Sequence, residues 1–141
     1  MTFITLLLIT MNTITQTPIS FDFNQLKNNQ IMIVNDSVMG GKSSSQYAIQ
    51  EDTINFTGEV SLKNNGGFAS LRMLWPFQQV KGFDKIQLKL KGDGQSYQFR
   101  LRTNRGFDGA AYVYEFKTIK DKIITVDIKV EDFIPSFRGR T

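Results

Sequence analysis

Apolar and polar residues alternate with a period of two along most of the chain after residue 44, and this pattern constrains the fold more than any other feature. In residues 85–91, for example, Ile86, Leu88 and Leu90 alternate with lysine or glutamine. Successive side chains of a β-strand point to opposite faces, so each such segment predicts a strand with one buried face. About eight short strands, with turns every ~8–12 residues, predict a single all-β domain, either a sandwich or a barrel. The other segments with this pattern are residues 53–62, 68–74, 97–103, 112–117 and 123–130.

Two glycine-rich segments are predicted to join neighbouring strands as hairpins. Residues 64–67 read Asn-Asn-Gly-Gly, and residues 92–94 read Gly-Asp-Gly. Glycine and asparagine tolerate the positive φ that tight hairpin turns require. The second hairpin would pair residues 85–91 with residues 97–103, so that the outward lysines and arginines of both strands form one basic surface.

The basic residues are concentrated in the middle of the chain. Between positions 63 and 105 they outnumber acidic residues by nine to two, although the net charge is +4. Two interpretations of these basic residues are open. They form either a binding surface for an acidic partner or a solvated surface that resists aggregation. Nucleic acid is not expected as a partner, because Tyr97 and Phe99 are predicted to face inward and leave no stacking platform.

The 141-residue chain contains no histidine and no cysteine. This excludes disulfides, thiolate metal sites and the Ser–His or Cys–His pairs of nucleophilic catalysis. We therefore expect a protein without catalytic activity, and no cofactor or metal site is predicted. The sequence does not decide whether a calcium site made of aspartate and carbonyl oxygens is present, because such a site needs neither histidine nor cysteine.

Residues 35–45, Asn-Asp-Ser-Val-Met-Gly-Gly-Lys-Ser-Ser-Ser, form the least ordinary segment. Adjacent glycines permit positive φ or close approach of another group, and the polar side chains can hold an irregular loop in one shape. The segment nearly fits the phosphate-binding pattern G-x-x-x-x-G-K-[ST]. However, Asp36 stands where that pattern has its first glycine, and a strand rather than a helix is predicted to follow. A shaped structural loop is the favoured interpretation.

Asp36 is predicted to pair with an arginine of the sheet. A bidentate bond from Arg72, or alternatively from Arg102, would pin the glycine loop to a strand. The prediction is wrong if the Asp36 carboxylate lies beyond salt-bridge distance from both arginines.

The N-terminal segment has two interpretations. Residues 1–20 carry no charged side chain, and their apolar run is too short to span a bilayer, so no transmembrane segment is predicted. The segment is interpreted either as a cleaved secretory signal or as a disordered N-terminus preceding a domain at 21–141. A signal would place the protein in the periplasm or outside the cell.

Five blocks of residues, in the same order, resemble the complex I intermediate-associated protein family. They contain Asn35-Asp36-x-Val38-Met39-Gly40-Gly41-x-Ser43, Phe56-x-Gly58-x-Val60-Ser61-Leu62, Asn65-Gly66-Gly67-Phe68-Ala69-Ser70-x-Arg72, Gly92-Asp93-Gly94-x-x-Tyr97-x-Phe99-x-Leu101-Arg102 and Phe133-x-Pro135-x-Phe137-Arg138-Gly139-Arg140. The resemblance implies a galactose-binding-like jelly-roll β-sandwich. It also implies a binding or structural role for Asn35, Asp36, Met39, Gly40, Gly41, Ser43, Asn65, Gly66, Gly67, Phe68, Ser70, Arg72, Asp93, Tyr97, Arg102, Arg138 and Arg140.

The same resemblance implies a function. Named eukaryotic members are assembly factors that hold an intermediate of respiratory complex I, so the expected role is a non-catalytic scaffold or chaperone with a protein partner. The family domain usually continues into further strands, so a chain ending at Thr141 is expected to be truncated or to lack a closing strand. The N-terminus lacks the Arg-rich, Ser-rich character of a mitochondrial transit peptide, which favours a bacterial origin.

A carbohydrate-binding module outside the cytoplasm is the alternative function. Galactose-binding-like sandwiches commonly present ligands on loops at one end, where aromatic rings stack on sugars. The candidate rings are Trp75, Phe107 and Tyr112. An aromatic-lined concave end would favour this alternative, whereas an accessible glycine loop and basic surface would favour the scaffold.

Overall fold

The computed structural model describes residues 2–7, 19–74, 82–103 and 109–137. Within these ranges the chain forms strands and short 3₁₀ turns and no α-helix, which confirms the all-β prediction. The strands are β1 (Thr2–Leu7), β2 (Ile31–Asn35), β3 (Ser44–Gln50), β4 (Thr53–Glu59), β5 (Ala69–Met73), β6 (Lys85–Lys91), β7 (Ser96–Leu101), β8 (Ala111–Lys117), β9 (Ile123–Lys129) and β10 (Ile134–Ser136). The 3₁₀ turns are Phe23–Gln25, Asn28–Gln30, Asp36–Met39, Lys63–Asn65 and Val130–Asp132.

The chain divides into two compact units, and the first contains residues 2–5 with the described residues from 22 to 74. Strands β3 and β4 form an antiparallel hairpin, and β1 pairs antiparallel with β4. Strands β2 and β5 form a second antiparallel pair. The core of this unit includes Phe23 and Ile54, neither of which has any solvent exposure.

The second unit contains residues 6–7 and 19–21 with the described residues from 82 to 137. Strand β6 pairs antiparallel with β9, and β8 lies between β7 and β10 in a separate three-stranded antiparallel sheet. The predicted alternation in β6 is confirmed, because Ile86, Leu88 and Leu90 are buried. On β7, Tyr97 stacks on Phe116 with ring centroids 6.1 Å apart. The ring of Phe99 is tilted against that of Phe133, also with centroids 6.1 Å apart.

Both predicted hairpins are wrong, because each glycine-rich segment carries the chain to a different strand pair. Strand β4 pairs with β1 and β3, whereas β5 pairs with β2. Likewise β6 pairs with β9 and β7 pairs with β8, so their outward cations do not share one sheet. Packing requires one glycine in each of these segments, because Gly66 lies against Asp36 and Gly92 lies against Thr118.

Part of the N-terminal apolar run forms a strand. The backbone of Thr2, Phe3 and Ile4 pairs with Phe56, Asn55 and Ile54 of β4. Whether this segment is also a cleaved signal stays a prediction. Among the described residues, no helix has the length and apolar character needed to cross a membrane.

Candidate functional site

A network of hydrogen bonds from two loops surrounds Asp36. Strand β2 ends at Asn35, and Asp36 begins the 3₁₀ turn Asp36–Met39, which Gly40 ends in a left-handed conformation with φ of 86°. A left-handed residue at this position favours glycine, because a side chain there would be strained. The turn directs the Asp36 side chain into the protein, where the residue has 0 % exposure.

The Asp36 carboxylate accepts four hydrogen bonds from two separate loops. The backbone N–H of Ser43 donates to one oxygen at 2.9 Å, and the Ser43 hydroxyl donates to the other. From the second loop, the backbone N–H groups of Gly67 and Phe68 donate at 2.6 and 3.3 Å. The backbone of Asp36 adds a further link, because its N–H donates to the carbonyl of Phe68 at 3.1 Å. One side chain therefore fastens residues 36–43 to residues 66–68.

These donors keep Asp36 ionised despite its burial. The Ser43 hydroxyl lowers the pKa of Asp36, burial raises it, and the backbone N–H groups of Gly67, Ser43 and Phe68 lower it, so the pKa lies below the ordinary value of 3.8. A buried carboxylate whose oxygens are hydrogen-bonded favours its charged form. Asp36 is therefore an anion at neutral pH.

The predicted ion pair between Asp36 and an arginine is wrong. The partners of this carboxylate among the described residues are the neutral donors of Ser43, Gly67 and Phe68. The Nε of Arg72 donates instead to the Ser70 hydroxyl at 3.3 Å, and Nη1 of Arg102 donates to the carbonyl of Gly109 at 2.7 Å. Four oriented N–H and O–H donors satisfy a buried carboxylate without a counter-ion.

Further side chains lock the same two loops. The Ser43 hydroxyl also accepts the backbone N–H of Ser61 at 3.0 Å. The side-chain amide of Asn64 donates to the carbonyl of Gly40 at 3.1 Å. Sequence reasoning missed Ser61, because it contributes a backbone N–H that leaves no residue pattern. It missed Asn64 because asparagine in a turn is usually interpreted as a local turn former. We call the assembly of Asp36, Ser43, Ser61, Asn64 and Gly67 the Asp36 cluster.

Two glycines make room for the Asp36 side chain. A Cβ added to Gly41 or to Gly66 would lie closer than 3.0 Å to the Asp36 carboxyl group, a separation that real Cβ atoms essentially never show. The two glycines come from different sequence motifs, Gly-Gly-Lys-Ser and Asn-Asn-Gly-Gly. Both motifs are thus parts of one packing arrangement around a single carboxylate.

The two fastened loops carry exposed apolar side chains. Val38 and Met39 on the 3₁₀ turn are 72 % and 71 % exposed, and Leu62, just before the turn Lys63–Asn65, is 80 % exposed. Their loops are joined by the Asn64–Gly40 hydrogen bond and by the Asp36 cluster. We call Val38, Met39 and Leu62 the apolar loop surface.

The cluster does not have the chemistry of a phosphate-binding loop. The backbone N–H of Ser43 already donates to Asp36, and the segment that follows is β3, with no helix N-terminus to hold an anion. The loop therefore has neither a free Ser43 N–H nor a following helix with which to bind a phosphate. Within the described residues, no group of three or more acidic side chains is placed to hold a metal ion.

The remaining signature residues are dispersed. The Ser70 hydroxyl donates to the carbonyl of Val34 at 2.7 Å, and the Asn35 side chain accepts from Ser45 at 2.7 Å. Asp93 accepts the backbone N–H of Gln95 at 2.9 Å and has a lowered pKa: burial raises it, but the hydrogen bonds from Gln95 and from the Tyr97 side chain outweigh that effect. Asn65 lies in the turn Lys63–Asn65 with φ of 57°. Arg138 and Arg140 lie outside the described residues.

The aromatic candidates for sugar binding form no site that the structure describes. Tyr112 is 41 % exposed on β8, where it pairs with Leu101 of β7. Trp75 and Phe107 lie outside the described residues. One half-exposed ring does not make an aromatic-lined pocket, so the carbohydrate alternative has no support here.

Comparison with known proteins identifies the family. A family model for complex I intermediate-associated protein 30 matches residues 21–141, a range that includes both loops meeting at Asp36. Searches of curated proteins and of solved structures gave no significant match. The chain therefore belongs to the complex I intermediate-associated protein 30 family.

Proposed function

We propose that this chain is a non-catalytic scaffold that binds a protein partner during assembly of a membrane complex, as the family's name describes for complex I. The observation that carries this proposal is the apolar loop surface, which exposes Val38, Met39 and Leu62 on loops fastened by a buried carboxylate. Clustered exposed apolar side chains mark sites of protein interaction, and methionine adapts to partners of irregular shape.

The Asp36 cluster supports this role by pre-organising the surface. Ordering a loop at the moment of binding costs conformational entropy, so loops that are already fixed retain more of their contact energy. Asp36 itself is unsuited to acid–base chemistry, because it is buried, ionised and already accepts four hydrogen bonds. Its role in the proposal is structural.

The proposal includes two further assignments. Residues 21–141 would form the binding domain, and the sheets of this domain would belong to a galactose-binding-like jelly roll. The match to residues 21–141 supports the first assignment, and the small antiparallel sheets support the second.

A cross-linked pull-down from native membranes tests the proposal, with the full chain as bait. The test variant carries Val38→Ser, Met39→Ser and Leu62→Ser, and the control carries Val130→Ser and Ile134→Ser, at positions that are 55 % and 56 % exposed in the second unit. We expect wild type and control to enrich subunits of respiratory complex I, and the triple variant to lose roughly tenfold or more of that enrichment. Absence of those subunits from the wild-type sample, or equal enrichment by the triple variant, would overturn the proposal.

A further inference from the structure

A second exposed surface lies in the other unit, where the end of β6 meets the start of β9. Lys91 pairs with Ile123 across the two strands, and Lys89 pairs with Thr125. The turn that precedes β9 closes with a hydrogen bond from the N–H of Lys122 to the carbonyl of Ile119, at 3.1 Å. The surface therefore combines strand and turn residues, and we call it the lysine corner: Lys89, Lys91, Ile119, Lys120, Lys122 and Ile123.

The lysine corner is held rigidly by Thr118. This residue is 2 % exposed, and its hydroxyl donates to the carbonyl of Gln95 and accepts the N–H of Gly94, both at 2.9 Å. A Cβ on Gly92 would lie closer than 3.0 Å to the Thr118 side chain, so glycine is needed for this contact. The N–H of Asp121 donates to the carbonyl of Gly92 at 3.0 Å and attaches the turn to the end of β6.

The lysine corner presents aliphatic side chains among cations. Ile119 is 50 % exposed and Ile123 is 66 % exposed. Lys89, Lys120 and Lys122 are exposed, and Lys91 is half-buried. Among the described residues, none of these four lysines is in an ion pair, whereas Lys85 and Lys129, towards the other end of the same strands, pair with Asp127 and Glu131 at 3.5 Å.

Acidic residues near the lysine corner do not neutralise it. The turn itself contributes one exposed carboxylate, Asp121, against the four lysines. Asp93 is directed to its own loop, because it accepts the backbone N–H of Gln95 at 2.9 Å. The four lysines therefore keep a net positive charge.

We propose that the lysine corner docks on an anionic membrane surface, with Ile119 and Ile123 entering the boundary between headgroups and acyl chains. Basic residues that surround exposed aliphatic side chains are the pattern of interfacial membrane binding, and lysines near the bilayer are attracted by anionic lipids. Protein interfaces are instead enriched in arginine and aromatic residues and depleted in lysine, and the lysine corner contains neither enriched type. This surface is separate in residues from the apolar loop surface, so the two proposals can fail independently.

Vesicle co-sedimentation with the full chain tests the inference. We expect binding to phosphatidylcholine vesicles that contain about one-third phosphatidylserine, little binding to pure phosphatidylcholine, and weakening by salt. Each lysine near the surface is worth about fivefold in affinity, so Lys120→Gln with Lys122→Gln is expected to weaken binding roughly 25-fold. Ile119→Ser with Ile123→Ser is expected to weaken binding while the dependence on salt remains.

A matched pair of charge changes serves as the control. Lys42→Gln with Lys63→Gln removes the same net charge from exposed positions of the first unit and should leave vesicle binding within about twofold of wild type. Melting temperatures check that each variant is folded. The inference is overturned if anionic vesicles are not bound, or if the two lysine pairs have equal effects. Binding to polyglutamate as tight as to vesicles, with no effect of the isoleucine changes, would also overturn it and would indicate an acidic protein as the partner.

Discussion

The carboxylate of Asp36 lies 2.6 Å from the backbone nitrogen of Gly67, although 31 positions separate the two residues in the chain. The same carboxylate also accepts hydrogen bonds from Ser43 in its own loop. Two loops that local sequence would leave independent are therefore held together by one buried anion. Asp36 and Ser43 are buried, so their side chains hold the loops together and do not face solvent.

Replacing Asp36 by asparagine is expected to destabilise the protein. The substitution keeps the shape of the side chain but turns one acceptor oxygen into an NH₂ group that faces N–H and O–H donors. We expect the melting temperature to fall by roughly 10 °C, as measured by differential scanning fluorimetry. Asp52→Asn, at an exposed turn position, is the control and should leave the melting temperature nearly unchanged. A stable Asp36→Asn variant would show that the cluster does not hold the loops.

Acid is expected to weaken the fold through the same residue. Because the folded-state pKa of Asp36 is lowered, the ionised carboxylate stabilises the protein fully above its unfolded-state pKa, near 3.8. This contribution is lost as the pH falls from there through the folded-state pKa. Urea unfolding of wild type and Asp36→Asn at several pH values tests this prediction. The stability difference between them should shrink towards low pH, and a constant difference would contradict the assignment.

Gly41→Ala and Gly66→Ala are expected to destabilise the protein by about 1–3 kcal/mol each, because the added methyl group would overlap the Asp36 side chain. Gly40 provides a contrast, since it has φ of 86° and open space around its Cβ position. Asparagine tolerates that conformation, so Gly40→Asn should cost less than either alanine substitution. Chemical denaturation of the three variants measures the order, and a costlier Gly40→Asn would indicate that backbone conformation outweighs packing here.

Met39→Ser is expected to change the free energy of unfolding by no more than about 0.5 kcal/mol, because Met39 is 71 % exposed. In contrast, Ile54→Ala should cost about 2–5 kcal/mol, since Ile54 has no exposure and its truncation leaves a cavity. Urea denaturation compares the two. A large loss of stability in Met39→Ser would place this side chain in the core and remove it from the apolar loop surface.

Thr118→Val is expected to cost about 1–3 kcal/mol, because it leaves the N–H of Gly94 without its acceptor while keeping the shape of the side chain. Thr118→Ser retains the hydroxyl and should be milder. Thermal unfolding distinguishes the two substitutions. Greater destabilisation by Thr118→Ser than by Thr118→Val would assign the role of Thr118 to its methyl group, which packs against Gly92.

Sequence reasoning found the strands and the unusual loop, and its errors share one cause. The burial of Ile86, Leu88 and Leu90 follows from a period that is visible within seven residues. Sequence reasoning pairs Asp36 with an arginine because opposite charges are the obvious match, whereas every residue except proline has a backbone N–H, which leaves no trace in the sequence. Thr118 was missed for a similar reason, since its partners are backbone groups of residues 94 and 95.

The amino-acid sequence by itself determined that this chain is built from β-strands, that histidine and cysteine chemistry is excluded, and that a shaped loop lies within residues 35–45. These properties depend on composition and on neighbours within a few positions. Tertiary structure alone decided which strands pair, that Asp36 binds Ser43, Gly67 and Phe68, and that Gly41 and Gly66 serve one carboxylate. Such relationships depend on which distant backbone segments approach each other, and local periodicity places no constraint on that approach.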